Sequence, residues 1–91
     1  MMPERTVTIV NPLGLHARAA AKLVRLASDY KSSIAIVRPS NGKIADARSI
    51  LSILELGAKH GSSLVVRAEG EDSENAMEAM TKLFESGFGE K

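Results

Sequence analysis

The run Glu4–Val10 alternates, with Val7 and Ile9 on one face and Thr6, Thr8 and Val10 on the other, which is the period of a strand with one buried side. It stops at Asn11-Pro12-Leu13-Gly14, and from Ala17 to about Ser28 the period turns helical: Ala20, Leu23, Val24, Ala27 and Tyr30 fall on one stripe. A period-2 segment joined to a period-3.6 segment across so short a break is a strand-to-helix unit, and one residue of chemical interest stands at the switch. His16 lies beside the first helical turn, where backbone N–H groups lack intrahelical partners and the helix dipole is positive, so the position suits an anion. Arg18 follows two residues later. An imidazole, unpaired amides and a guanidinium within three residues form a place where a phosphoryl group can be accepted and held. The same spacing also fits a polar residue at a surface junction.

The remaining chain supplies the partners of that unit. Ser33–Arg38 reads as a second strand, Pro39-Ser40-Asn41-Gly42 as a turn, and Lys43–Ala47 as the return strand of a hairpin, with Ile44 and the pair Ala45 and Ala47 competing for the inward face. Ser49 caps a short helix in which Ile50, Leu51, Ile53, Leu54 and Leu56 are apolar nearly all round. They cannot all reach a core, so some of Ile50, Leu51 and Leu54 are expected at the surface, where an apolar patch marks an interface. Gly57 and Gly61 bracket a turn holding His60, which reads as a solvent-exposed bystander, and Ser62–Glu69 is a fourth strand with Leu64, Val66 and Ala68 on one side. Asp72 or Ser73 caps a last helix with Ala76, Met77, Met80, Leu83 and Phe84 on its apolar face; Gly87 ends it, and Phe88–Lys91 is expected to fray.

The order β-α-β-β-α-β-α, without repeat or linker, predicts an α+β two-layer open-faced sandwich: an antiparallel four-stranded sheet covered on one side by three helices. Its 91 residues make one domain spanning 1–91. With 44% hydrophobic and 25% charged residues, and no apolar run near a membrane span, no membrane insertion is expected. The absence of cysteine removes thiolate zinc sites and disulfides, His16 and His60 have no ligand-like partners, and Met1 opens no export signal; a cytoplasmic protein without metal or cofactor is expected. Net charge of +1 gives no drive toward nucleic acid. A KH-type clamp needs two residues between its glycines where Gly57 and Gly61 have three, and an RRM-type sheet needs exposed strand aromatics, whereas Tyr30, Phe84 and Phe88 lie outside the strands.

Gly14-Leu15-His16-Ala17-Arg18-Ala19-Ala20, with Arg48-Ser49-Ile50-Leu51 and the segment from Leu56-Gly57 through Gly61, resembles the HPr phosphocarrier family of the bacterial phosphoenolpyruvate-dependent phosphotransferase system, in element order and length as well as in motif. The resemblance implies sheet order 1-4-2-3 and a phosphoryl-transfer carrier rather than an independent enzyme. It implies that His16 takes a phosphoryl group on Nδ1 from phosphorylated enzyme I and passes it to enzyme II A components for sugar uptake, with Arg18 as the active-site arginine. The amides of Ala17 and Arg18 are expected to hold the phosphate. Ala21, Lys22 and Arg25 on the first helix, with Ile50, Leu51 and Leu54 on the second, are the expected docking residues for acidic partners. Ser49 matches a serine that, in part of the family, is phosphorylated by HPr kinase/phosphorylase. A nitrogen-type or regulatory paralogue with the same His16 chemistry is the alternative, a non-catalytic interaction module the remote one, and a monomer is expected. Ala19 stands where many members have proline, which leaves the first helical turn less constrained.

Overall fold

The structure, a computed structural model, describes residues 3–90. Its elements are β1 (Glu4–Thr8), α1 (Ala17–Ala27), β2 (Ser33–Arg38), β3 (Lys43–Asp46), α2 (Ile50–Leu54), β4 (Ser63–Glu69) and α3 (Ser73–Glu85), followed by a 3₁₀ turn at Gly87–Gly89. The four strands form one antiparallel sheet in the order β1-β4-β2-β3. Register places Val7 opposite Leu64 and Ile36 opposite Val66, so the inward side chains of neighbouring strands meet on one face. Alternation follows: Leu64, Val66 and Ala68 are buried, while Val65 and Arg67 between them are partly exposed on the other face.

The three helices cover the apolar face. Ala19, Ala20, Leu23 and Ala27 of α1, Ile53 of α2 and Ala76, Met77, Met80 and Phe84 of α3 pack into the same core as Val7, Ile34, Ile36, Leu64 and Val66. The hairpin resolves in favour of the alanines: Ala45 and Ala47 are fully buried and Ile44 is 63% exposed. Regular pairing of β1 ends at Thr8 rather than Val10, yet the backbone stays tied to the sheet, because the Ile9 N–H donates to Ser62 O at 2.9 Å and the Gly61 N–H to Ile9 O at 2.8 Å.

Two expectations at the last helix are corrected. Asp72 occupies the N-cap position of α3 but its side chain makes no capping bond. Its carboxylate instead accepts from the Lys31 and Ser32 N–H groups at 2.8 and 2.9 Å and from Ser32 Oγ, tying α3 to the turn before β2. The Ser32 hydroxyl, and after it the Lys31 amide, hold the Asp72 carboxyl below the usual carboxylate range.

The segment after α3 is also ordered rather than frayed as far as Glu90, while Lys91 lies outside the described residues. Gly87, at φ 64, turns the chain back, and Phe88 is 1% exposed with its ring edge-on to Phe84 at 5.2 Å between centroids. Phe88 itself takes the left-handed conformation, φ 57, which costs a side-chain-bearing residue about 1–2 kcal/mol. Burying the ring returns about 2–3 kcal/mol, so the turn holds. Phe88→Ala is therefore expected to lower unfolding free energy by about 3 kcal/mol in urea titration, whereas a frayed segment would leave it unchanged.

Candidate functional site

The loop from Asn11 to Leu15 aims the residue that follows it. Gly14 has φ +68, and a Cβ there would stand 2.7 Å from Ala58 O and 2.9 Å from Lys59 Cα, so this position requires glycine twice over: for the conformation and for the close approach of the 57–61 loop. Leu15 N–H donates to Ala58 O at 3.1 Å, and Asn11, fully buried, donates from Nδ2 to Gly14 O at 2.8 Å. The loop is thus clamped from both sides just before His16.

His16 is the N-cap of α1, with extended backbone (φ −80, ψ 179), and its Nδ1 accepts the Arg18 N–H at 3.3 Å. The ring thereby does for this helix what a serine or aspartate oxygen does for others. The bond is long, so its proton is only loosely held and can be given to a stronger acceptor. An oxygen of a group attached to Nδ1 would be such an acceptor.

On the other side of the ring, Nε2 donates to the Glu90 carboxylate, with both oxygens at 2.8 Å. With Nδ1 accepting and Nε2 donating, the hydrogen bonds select one neutral tautomer, with its lone pair at the helix end. The bond from His16, ahead of a weaker one from Asn11 Nδ2 and the charge of Arg18, holds Glu90 below the usual carboxylate range against the opposing effect of desolvation. The site thus has a carboxylate beside the ring that the sequence reading did not include.

Ala17 and Arg18, the residues that follow His16, are exposed, and so are Arg25 further along α1 and His60 on the loop before β4. Pro12, Leu13, Arg18, Lys22, Gly89 and Glu90 line a shallow depression next to the ring. A second concavity between β2, β3 and β4 is lined by residues such as Ile44, Asp46 and Arg67 and includes neither His16 nor Arg18. Ala21 and Lys22 are half-buried. Lys22 donates from Nζ to Phe88 O at 2.6 Å, so it also fastens the segment that delivers Glu90. On α2, which packs against α1, Ile50, Leu51 and Leu54 are 42%, 69% and 37% exposed. Ser49 caps α2 through its Oγ, which accepts the Ser52 N–H at 3.2 Å, and Ser52 Oγ in turn accepts the Asp46 N–H at 3.1 Å.

Sequence reasoning missed Glu90 and Asn11. A carboxylate 74 residues away along the chain has no local signal, but Gly87-Phe88-Gly89 did offer one: an aromatic just past a helix-ending glycine commonly folds back on the last turn.

Fold and site together define a class: an open-faced α+β sandwich that presents one imidazole as the N-cap of its first helix. A family model described as the PTS HPr component phosphorylation site matches residues 3–86. The phosphocarrier protein HPr of Cupriavidus necator is 43% identical over 89 residues, covering 98% of both chains. The phosphocarrier protein NPr of Shewanella violacea is 42% identical over 87 residues, covering 96% of this chain and 93% of its own. Among solved structures, the crystal structure of HPr-C-His from Thermoanaerobacter tengcongensis superposes with a TM-score of 0.91 at 42% identity, covering 98% of each chain. The chain belongs to the HPr family of phosphocarriers of the phosphotransferase system.

Gly14→Ala is expected to cost about 2–3 kcal/mol in thermal or urea unfolding, from the left-handed backbone and the contact with Ala58 and Lys59 together.

Proposed function

We propose that His16 is the phosphoryl-carrying residue, accepting the group on Nδ1 from phosphorylated enzyme I, with phosphoenolpyruvate as its origin, and donating it to enzyme II A components of sugar uptake. The observation that carries this reading is the Nδ1 lone pair facing the free amide end of α1, where added phosphate charge meets the Arg18 N–H and the positive pole of the helix. The chain contributes position and charge rather than a chemical step of its own, which suits a carrier whose group must leave as readily as it arrives. Arg18, exposed beside the ring, offers the guanidinium that pairs with phosphate oxygens. Members of the pathway dock, in this reading, on α1 and α2 around Ala21, Lys22, Arg25, Ile50, Leu51 and Leu54, with the protein working as a single-domain monomer in the cytoplasm.

The likeness to a nitrogen-type relative favours a second reading, in which the same His16 chemistry serves a regulatory branch. The acceptor separates the two readings. Ser49 is the residue through which HPr kinase/phosphorylase would act in either. A dianionic group at the start of α2 would sit beside Ile50 and Leu51 and repel acidic partners.

Incubation with phosphoenolpyruvate and enzyme I is expected to add one acid-labile phosphate. His16→Ala should abolish this labelling, and Arg18→Ala should slow transfer in both directions by about 10–100-fold with unchanged melting temperature. Labelling that survives in His16→Ala sinks the proposal. Leu51→Asp is expected to weaken enzyme I binding at least tenfold in titration calorimetry while changing stability by less than about 0.5 kcal/mol.

A further inference from the structure

We propose that Glu90 is a positioning residue for phosphoryl transfer: its carboxylate keeps a proton on Nε2 of His16 throughout, so that Nδ1 can both receive the group and release it. This rests on the reading of His16 as the phosphoryl acceptor.

The carboxylate is built into place. Both oxygens stand 2.8 Å from Nε2, the Glu90 side chain is 12% exposed, and Asn11 Nδ2 donates to Oε1 at 3.2 Å. Phe88, two residues earlier, is buried against Phe84, and Lys22 holds its carbonyl. A side chain anchored by a buried aromatic and a cation is preorganised in a way that a mobile surface glutamate is not.

The transfer then balances without moving a proton. The Nδ1 lone pair attacks the phosphorus of the donor's phosphohistidine; the Nδ1–P bond forms while the donor's N–P bond breaks, and that electron pair stays on the donor's ring nitrogen. The His16 ring begins neutral, with its hydrogen on Nε2, and ends as an N-phosphorylated imidazolium with the same hydrogen still there. Glu90 neutralises the charge that has appeared. On forward transfer the N–P electron pair returns to Nδ1 and the ring departs neutral. Were Nε2 to lose its hydrogen in the phosphorylated state, the leaving group would be an imidazolate, a far poorer one.

An opposite charge in contact favours the charged form of an imidazole ring, and the two Glu90 oxygens at 2.8 Å from Nε2 supply that charge. The other charged or titratable groups near the ring are Arg18 and Lys22 of α1, with Lys59 and His60 exposed on the loop that packs on Gly14. Arg18, Lys22 and Lys59 are cations, so the Glu90 carboxylate is the negative charge among them.

The test uses the full chain phosphorylated by phosphoenolpyruvate and enzyme I, in wild-type, Glu90→Gln and Glu90→Asp forms. Nitrogen-15 spectra of the His16 ring follow Nε2 protonation against pH in the phosphorylated protein, and phosphate release is timed over the same range. In Glu90→Gln the deprotonation midpoint should fall by about one pH unit, with release on the alkaline limb slowed about tenfold. Glu90→Asp should recover part of both. Glutamine retains an oxygen to accept from Nε2 and Asn11, so a merely structural role for Glu90 predicts an unmoved midpoint; that result, with normal labelling, overturns this inference alone. A wild-type protein that takes up no phosphate overturns the acceptor reading of His16 instead. Melting temperatures measured in parallel identify any variant whose last turn has undocked.

Discussion

One apolar sheet face, covered by three helices, is the constraint under which everything else is arranged. The inward side chains of β1, β4 and β2 are placed by strand register, and α1, α2 and α3 must cross that face to hide it from water. Alanine does much of this work: Ala19, Ala20 and Ala27 on α1, with Ala45, Ala68 and Ala76 opposite or beside them, are fully or almost fully buried. Small side chains let the helices lie close, and so the start of α1 is held against the loop at Ala58 and Lys59. The site inherits its precision from this packing, since His16 is the first residue outside a helix that has no freedom to shift.

The chemistry at that point comes from backbone as much as from side chains. Helix starts expose amides with nothing to donate to, and here the amide of Arg18 is satisfied by a ring nitrogen. That bond is long at 3.3 Å, so the amide remains available to a stronger acceptor. The opposing pull of Glu90 on the far nitrogen means that the ring is held by both of its polar atoms, and rotation about either side-chain bond would break one or both contacts. Held at both nitrogens, the ring has one orientation to offer an incoming group.

What could be read from the sequence is what local period and turn chemistry encode. The alternation in β4, the stripe on α1 and the surplus of apolar residues on α2 each lead directly to the observed burial, and the position of His16 follows from the break at Asn11-Pro12. Three features resisted that reading because their causes are tertiary. Ile44 and the neighbouring alanines have the same claim on the hairpin's inner face until α2 is in place, and the close cover selects the smaller side chains. Asp72 looks like a helix cap in every local respect, yet two amides and a hydroxyl from the turn before β2 make better partners than its own helix. Glu90 belongs to a stretch whose glycines suggest looseness, and only the burial of Phe88 converts it into a fixed arm.

The distance in sequence between the imidazole and its carboxylate has a further consequence for how such a molecule comes into being. The two residues are separated by 74 positions, nearly the whole described chain. At about 5–20 residues per second of synthesis, a ribosome extrudes the histidine several seconds before the glutamate exists. Throughout that interval the ring lacks its carboxylate, and the contact requires the turn at Gly87–Gly89 that carries Glu90 back to it. The histidine therefore cannot acquire its complete surroundings before the chain has been made as far as Glu90, and a nascent chain, however well its first helix has formed, is chemically unlike the mature one.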